Sequence, residues 1–358
     1  MTTTDNASGI IFSGRFHFYL EKFTMNNTAR ITDSTASKRP ALKLVKTNDL
    51  SRDEWLEVRK TGIGSSDAAA AVGLNPYQSQ LELWMVKTGR GAALPQIDPN
   101  DDTSPMFWGS LLEAFVAAHY TKKTGRRIRK VNAVLQHPEF SWMLANLDRE
   151  VIASPEVQIL ECKTAGMNGA RLWRDGVPEY VQIQVMHQLA VTGKQAADVA
   201  VLVCGNEFRV YRIERDETMI ANLIKLEAQF WHYVETDTPP PADGSDSAAT
   251  ALQALYPKDS GETLDLSDDA EMGAAFADLL AVRASLATQE LSESQLKQKI
   301  QQRMGDATKA KFEVGEVSWK RSKDSVVLNV PELLIDQPEL LKRYPLVKSG
   351  SRRFLISA

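Results

Sequence analysis

The chain has 358 residues, 43% of them hydrophobic and 25% charged, and its 42 Lys and Arg against 46 Asp and Glu give a formal net charge of −4. That composition belongs to a globular protein with one large core or two smaller ones. It excludes a fibre or a disordered tail, and it requires local basic patches to hold any nucleic-acid partner. Cys162 and Cys204 lie in apolar runs without C-x-x-C spacing, which excludes a disulfide framework or a cysteine-based metal centre and reads as reduced, intracellular core thiols. No stretch approaches the ~18 consecutive apolar residues of a membrane helix.

Residues 1–48 are rich in Thr, Ser and Asn without a sustained period and are expected to be disordered. Ser51, with Glu54 three residues on, forms a capping box ahead of Trp55, Leu56 and Val58, predicting a helix that stops at Gly62. The turn Gly62-Ile63-Gly64-Ser65-Ser66-Asp67 then opens an Ala-rich helix ending at Gly73. A helix over 81–87 follows, then a polar loop over 90–105 and a helix over 107–124 ended by Gly125. Beyond it the period changes. Strands are predicted over 127–135, 141–146, 157–163, 197–204 and 207–214, and helices over 179–192 and 218–234. This order predicts a mixed α/β core over 49–235, a small central sheet with a helix on each flank. Three consecutive prolines with Asp and Ser mark 236–250 as a linker to a C-terminal extension, 251–358. There a long helical pattern covers 268–304, a hairpin covers 312–321, and 350–357 reads as a further strand.

Strand period two sends Glu161 and Lys163 to one face and Leu160 and Cys162 to the other. Asp148 closes the run 143–147 on a strand able to pair with this one, bringing two carboxylates and a lysine together. Clustered carboxylates repel, and a divalent cation with hard oxygen ligands, most often Mg²⁺, is the usual remedy. Such an ion can activate water against a phosphodiester while the lysine orients that water. Taken alone, the same residues also read as a surface ion pair beside a turn aspartate. Glu113, next to apolar Leu112 and Val116, and Gln184 read by themselves as helix-surface residues. At the Gly- and Ser-rich turn, backbone N–H groups, the start of the helix and the fork of Arg59 could face an anion beside Ser66, or Ser66 could simply cap a helix. Six of the nine residues from 122 to 130 are basic, namely Lys122, Lys123, Arg126, Arg127, Arg129 and Lys130, forming a DNA-backbone candidate or a solvated face. The five histidines show no metal-ligand spacing. Trp55, Trp84, Trp108 and Trp173 read as core or helix-packing residues.

Four segments in a fixed order carry a resemblance: Arg59 through Tyr77 (R-K-T-G-I-G-S-S-D…G-L-N-P-Y), Trp108-Gly109-Ser110-Leu111-Leu112-Glu113, Asp148 with Glu161-Cys162-Lys163, and Gln182-Ile183-Gln184-Val185-Met186-His187-Gln188. Together they resemble the YqaJ branch of the PD-(D/E)XK nuclease superfamily, the lambda-type phage alkaline exonucleases, over roughly residues 50–233. The resemblance implies a restriction-endonuclease-like core and a Mg²⁺-dependent 5′-to-3′ exonuclease acting on linear double-stranded DNA. Two ions would occupy each active site, with Mn²⁺ able to substitute. It further implies 3′ single-stranded overhangs made for phage-type recombination with a single-strand annealing protein, in the bacterial host cytoplasm, by a homotrimer encircling the duplex. Asp148, Glu161, the carbonyl of Cys162 and Glu113 would hold metal, Lys163 would sit by the attacking water, Gln184 would orient site groups, and Arg59 and Ser66 would bind the terminal 5′-phosphate. Leu147 departs from the pattern, since a proline often precedes the first aspartate. An endonuclease or repair nuclease of the same superfamily, or a catalytically silent DNA-binding assembly subunit, are the rival readings.

Overall fold

The computed structural model describes residues 40–357 apart from 97, 99 and 349. Two units divide at Pro257 and Lys258. In chain order the first contains β1 (Leu42–Lys46), α1 (Arg52–Lys60), β2 (Ile63–Gly64), α2 (Ala68–Ala71), α3 (Gln80–Lys87) and α4 (Pro105–Thr124). These are followed by β3 (Arg127–Lys130), β4 (Ala133–Gln136), β5 (Met143–Ala145), β6 (Arg149–Ile152), β7 (Ile159–Ala165), α5 (Met167–Ala170) and α6 (Glu179–Thr192). The unit closes with β8 (Ala196–Val203), β9 (Glu207–Glu214), α7 (Glu217–Glu235) and α8 (Asp246–Leu255).

The mixed α/β class is as expected. The five-stranded sheet runs β3-β6-β7-β8-β9, with β7 and β8 parallel and the other neighbours antiparallel. A parallel pair needs a long crossover, and α6 supplies it. On β7, Ile159 and Ala165 join the cluster packed under α6, while Leu160 joins the one under α4, where Val116, Ala117 and Tyr120 are buried. A second sheet, β1-β4-β5-β2, pairs β2 parallel to β5. Residues of both sheets meet α6 in a single cluster, which is why this helix is buried at nearly every position from 181 to 191 instead of along one stripe.

Several boundaries differ from the sequence reading. Residues 42–46, placed in the disordered segment, form β1 and pair with β4; residues 1–39 lie outside the described residues. The stretch 127–135 is split, its two halves entering different sheets. The run 143–147, expected to pair with the strand of Glu161, belongs as β5 to the other sheet; β7 pairs instead with β6 and β8, and Asp148 stands just before β6. The second half of the linker, 236–250, is helical. Ala248 and Ala251 of α8 are buried, and Ser247 accepts a hydrogen bond from the Ser79 amide (2.8 Å) and donates one to Glu82 (2.5 Å). Packing against α3 thus outweighs the Ser- and Asp-rich composition. Cys204, read as a core thiol, is exposed.

The second unit contains α9 (Ala270–Met304), a hairpin of β10 (Lys309–Phe312) and β11 (Gly315–Ser318), α10 (Val330–Asp336) and α11 (Glu339–Arg343). The hairpin lies three residues earlier than expected, and residues 350–357 form no strand.

Candidate active site

Glu161 and Lys163 leave β7 on the side of α6, as period two requires. The Glu161 carboxylate is buried with both oxygens bonded: Oε1 accepts from Gln184 Nε2 (2.6 Å) and Lys163 Nζ (2.8 Å), and Oε2 accepts from Gln188 Nε2 (2.8 Å). Lys163 Nζ donates in addition to Gln184 Oε1 (2.8 Å). Gln184 and Gln188, one helical turn apart, therefore clamp one carboxylate from above. Asp148, in the short link between β5 and β6, accepts from the Cys162 amide through Oδ2 (2.8 Å). Because the N–H and C=O of a strand residue face the same edge, the Cys162 carbonyl faces the side on which Asp148 stands.

Burial, and then the Glu161 charge, push the Asp148 carboxyl up to about 8. Burial alone would lower the pKa of Lys163, but the Glu161 carboxylate outweighs it and keeps the ammonium charged. The Cys162 thiol is pushed up by burial and then by Asp148, which favours its neutral form. Among the described residues no three His, Cys, Asp or Glu side chains converge as a ready-made cage. The set nevertheless fits Mg²⁺, which commonly takes one or two carboxylates and keeps water in its other positions. Two carboxylates and a carbonyl are hard oxygen donors, and the Asp148 carboxyl, raised first by burial and then by the Glu161 charge, is one whose ionised form a dication would favour. Glu113, on α4, is turned to Arg149, whose Nη1 donates to Glu113 Oε1 (2.5 Å) and to the Asp148 carbonyl (2.6 Å). The sequence reading missed Arg149, since α4 and β6 are too far apart in the chain for any periodic signal to join them. The role of Gln188 is likewise set by a contact on another element, its bond to Glu161.

A second polar cluster surrounds the Gly- and Ser-rich turn. Arg59 Nη2 donates to Ser66 Oγ (3.0 Å) and pairs with Asp67, and Asp67 also pairs with Lys87. The expected Ala-rich helix is a single turn, α2, too short for a helix dipole to matter, so the anion capacity of this corner rests on Arg59. The turn is tied to the first cluster: Gly64 pairs with Leu144, and Ser65 Oγ donates to the Asn146 carbonyl (3.5 Å), two residues before Asp148. His187, between Gln184 and Gln188 in the chain, is buried and bridges Glu227 (2.7 Å) and the Leu144 carbonyl (2.9 Å), a structural tie and not a ligand.

The basic run is only partly free. Arg126 pairs with Glu156 (3.0 Å) and buried Asp198 (3.5 Å), Arg129 pairs with Glu150 (2.5 Å), and Lys123 lies over the Phe208 ring. Lys122, Arg127 and Lys130 are exposed. Of the tryptophans, Trp84 and Trp173 are core residues, whereas Trp108 is exposed.

Comparison with known proteins places these features in context. The sequence profile of the YqaJ-like viral recombinase domain matches residues 54–195. The uncharacterized protein YqaJ of Bacillus subtilis (strain 168) is 34% identical over 289 residues, covering 79% of this chain and 88% of that protein. Among solved structures, an alkaline exonuclease (LHK-Exo) from Laribacter hongkongensis aligns with a TM-score of 0.42 and 22% identity, over 52% of this chain and 94% of the other. A phage related exonuclease from Haemophilus somnus 129PT aligns with a TM-score of 0.36 and 12% identity, over 51% and 97%.

Proposed function

Because the chain belongs to the YqaJ-like viral recombinase family, we propose that it is a Mg²⁺-dependent 5′-to-3′ exonuclease on linear double-stranded DNA, leaving 3′ single-stranded overhangs for recombination. The observation that carries this reading is the junction of β6 and β7, where Asp148 is bonded to the Cys162 amide (2.8 Å) and the neighbouring Glu161 to Lys163 (2.8 Å). Asp148, Glu161 and the Cys162 carbonyl would hold the metal, with Glu113 and Arg149 bordering them. When bound, Mg²⁺ would polarise a phosphate oxygen and acidify a water molecule, and Mn²⁺ would do the same. Lys163, charged and fixed by Glu161 and Gln184, keeps one N–H that would be free for that water, and its charge would steady the charge that develops on the phosphate. Gln184 and Gln188 hold the Glu161 carboxylate in one rotamer, so it needs little reorganisation when substrate arrives.

In this reading Arg59 and Ser66 bind the terminal 5′-phosphate. The β2–β5 pairing then fixes their distance from Asp148, so an end bound at the turn presents a set phosphodiester to the carboxylates. Lys122, Arg127 and Lys130 follow the backbone of the duplex. The protein works as a homotrimer around its substrate, together with a single-strand annealing protein in the host cytoplasm. Ring closure suits a chain of net charge −4, which has little bulk attraction for DNA.

Linear and closed-circular duplexes incubated with Mg²⁺ or with EDTA test the proposal. Mg²⁺-dependent loss of the linear form from its 5′ ends is expected, with the circle intact. Cleavage of the circle would make the protein an endonuclease, and no cleavage of either would make it a silent binding subunit.

A further inference from the structure

Arg59, Asp67 and Lys87 form a closed circuit. Arg59 Nη2 donates to Asp67 Oδ1 and to Ser66 Oγ. Asp67 Oδ2 accepts from Lys87 Nζ (2.6 Å) and from the Gly64 amide (3.3 Å). Lys87 Nζ returns to the start by donating to the main-chain carbonyl of Arg59 (2.7 Å). The three side chains differ sharply in exposure: 30% for Arg59, 7% for Asp67 and 1% for Lys87. The Trp55 ring supports the guanidinium, 4.9 Å from its centroid to Cζ.

The lysine is surplus to neutrality. Arg59 and Asp67 alone make a neutral pair, and the second Asp67 oxygen already has the Gly64 amide. Burying a further ammonium costs solvation energy, yet α3 ends with one at this place. Two cations and one anion sum to +1, and the member that reaches solvent is Arg59.

We propose that Lys87 is a positioning residue that takes up the Asp67 charge, leaving the Arg59 guanidinium with an uncompensated positive charge for a 5′-terminal phosphate. This rests on the reading of Arg59 and Ser66 as the end-binding pair. Without the lysine, the guanidinium would be neutralised by Asp67, and an arriving phosphate would have to compete with that carboxylate for the same N–H groups.

The test uses the full chain and a short blunt duplex carrying either a 5′-phosphate or a 5′-hydroxyl. Binding is read by fluorescence anisotropy in EDTA, so that hydrolysis plays no part, and thermal unfolding is read in parallel. Lys87→Met should reduce the preference for the phosphorylated end about tenfold, in line with one lost charge-assisted contact. Lys87→Met combined with Asp67→Asn should restore it, because the pair then again carries +1 on Arg59; a role confined to supporting the fold would not be rescued this way. Asp67→Asn alone should tighten binding of the phosphorylated duplex.

If Arg59→Ala loses the preference and Lys87→Met keeps it, the proposal fails while the end-binding reading stands. If Arg59→Ala keeps it, both fail. A folded Lys87→Met that loses the preference without recovery in the double variant also overturns the proposal. Should Lys87→Met not fold, Asp67→Asn decides, with no tightening counting against.

Discussion

Lys163 is held by two acceptors on two elements, Glu161 on its own strand and Gln184 on α6. Such double anchorage keeps an ammonium in one orientation at little further entropic cost when substrate arrives. Lys163→Ala and Glu161→Gln are therefore expected to lower turnover on linear duplex by about a thousandfold or more, since members of one catalytic unit fail together. Circular dichroism should show both variants folded; near wild-type turnover by either would remove the site assignment. Asp67 gives a prediction of a different kind. Burial would raise its pKa, but Arg59 and Lys87 pull it down to about 2 from an ordinary 3.8. A carboxyl more acidic in the folded chain than in the unfolded one stabilises fully above its unfolded pKa, and the benefit is lost as pH falls from 3.8 through about 2. The stability advantage of the wild type over Asp67→Asn, about 2 kcal/mol at neutral pH, should thus shrink in urea titrations taken from about pH 5 down to about pH 2. An advantage that does not change with pH would mean that the carboxylate is not engaged as described.

At the scale of elements, the pairing of β2 with β5 is what brings the two polar clusters onto one frame. Gly62 makes it possible. A Cβ at that position would lie 2.5 Å from the Trp142 carbonyl and 2.8 Å from Leu144 Cγ, on the strand edge to which the Ile63 amide bonds (2.7 Å). Gly62→Ala should cost about 1–3 kcal/mol, the usual range for an overpacked interior. It should also weaken recognition of the 5′-phosphate more than hydrolysis at saturating substrate, because it moves the turn and leaves β7 in place. The measurements are thermal unfolding and the split between KM and kcat; an unchanged melting temperature would show that β2 is not pressed against β5. The capping box of α1 was legible in the sequence, since Ser51 and Glu54 need only local spacing to find each other. The strand β6 was not, because Arg149-Glu150-Val151-Ile152 has no clear alternation and becomes a strand by pairing with β3 and β7.

For the whole molecule, all three hydrophobic clusters draw their residues from the first unit. A chain ending at Pro257 is accordingly expected to fold, and circular dichroism with thermal unfolding checks it; loss of cooperative unfolding would mean that the second unit completes the core. Assembly is a separate matter. Light scattering at working concentration should give a mass near three chains, as enclosure of the duplex requires, and a mass of one or two chains together with processive digestion would exclude enclosure as the mechanism.

What the sequence by itself determined is local or periodic. Helix α4 with its Gly125 stop, the alternation that sets Glu161 and Lys163 on one face, and the order of segments that carries the family resemblance all depend on spacings within one element or on a linear order of elements. Only the tertiary structure decided which oxygens those side chains meet. It showed that Arg149 occupies Glu113, that Gln188 shares Glu161 with Gln184, that two of the six residues of the basic run are spent on internal ion pairs, and that a lysine on α3 with no motif to mark it is buried under Arg59. These contacts join residues tens of positions apart on different elements. No spacing records such a contact, because the force that makes it, the need of each buried charge for a partner, acts only after the chain has closed around it.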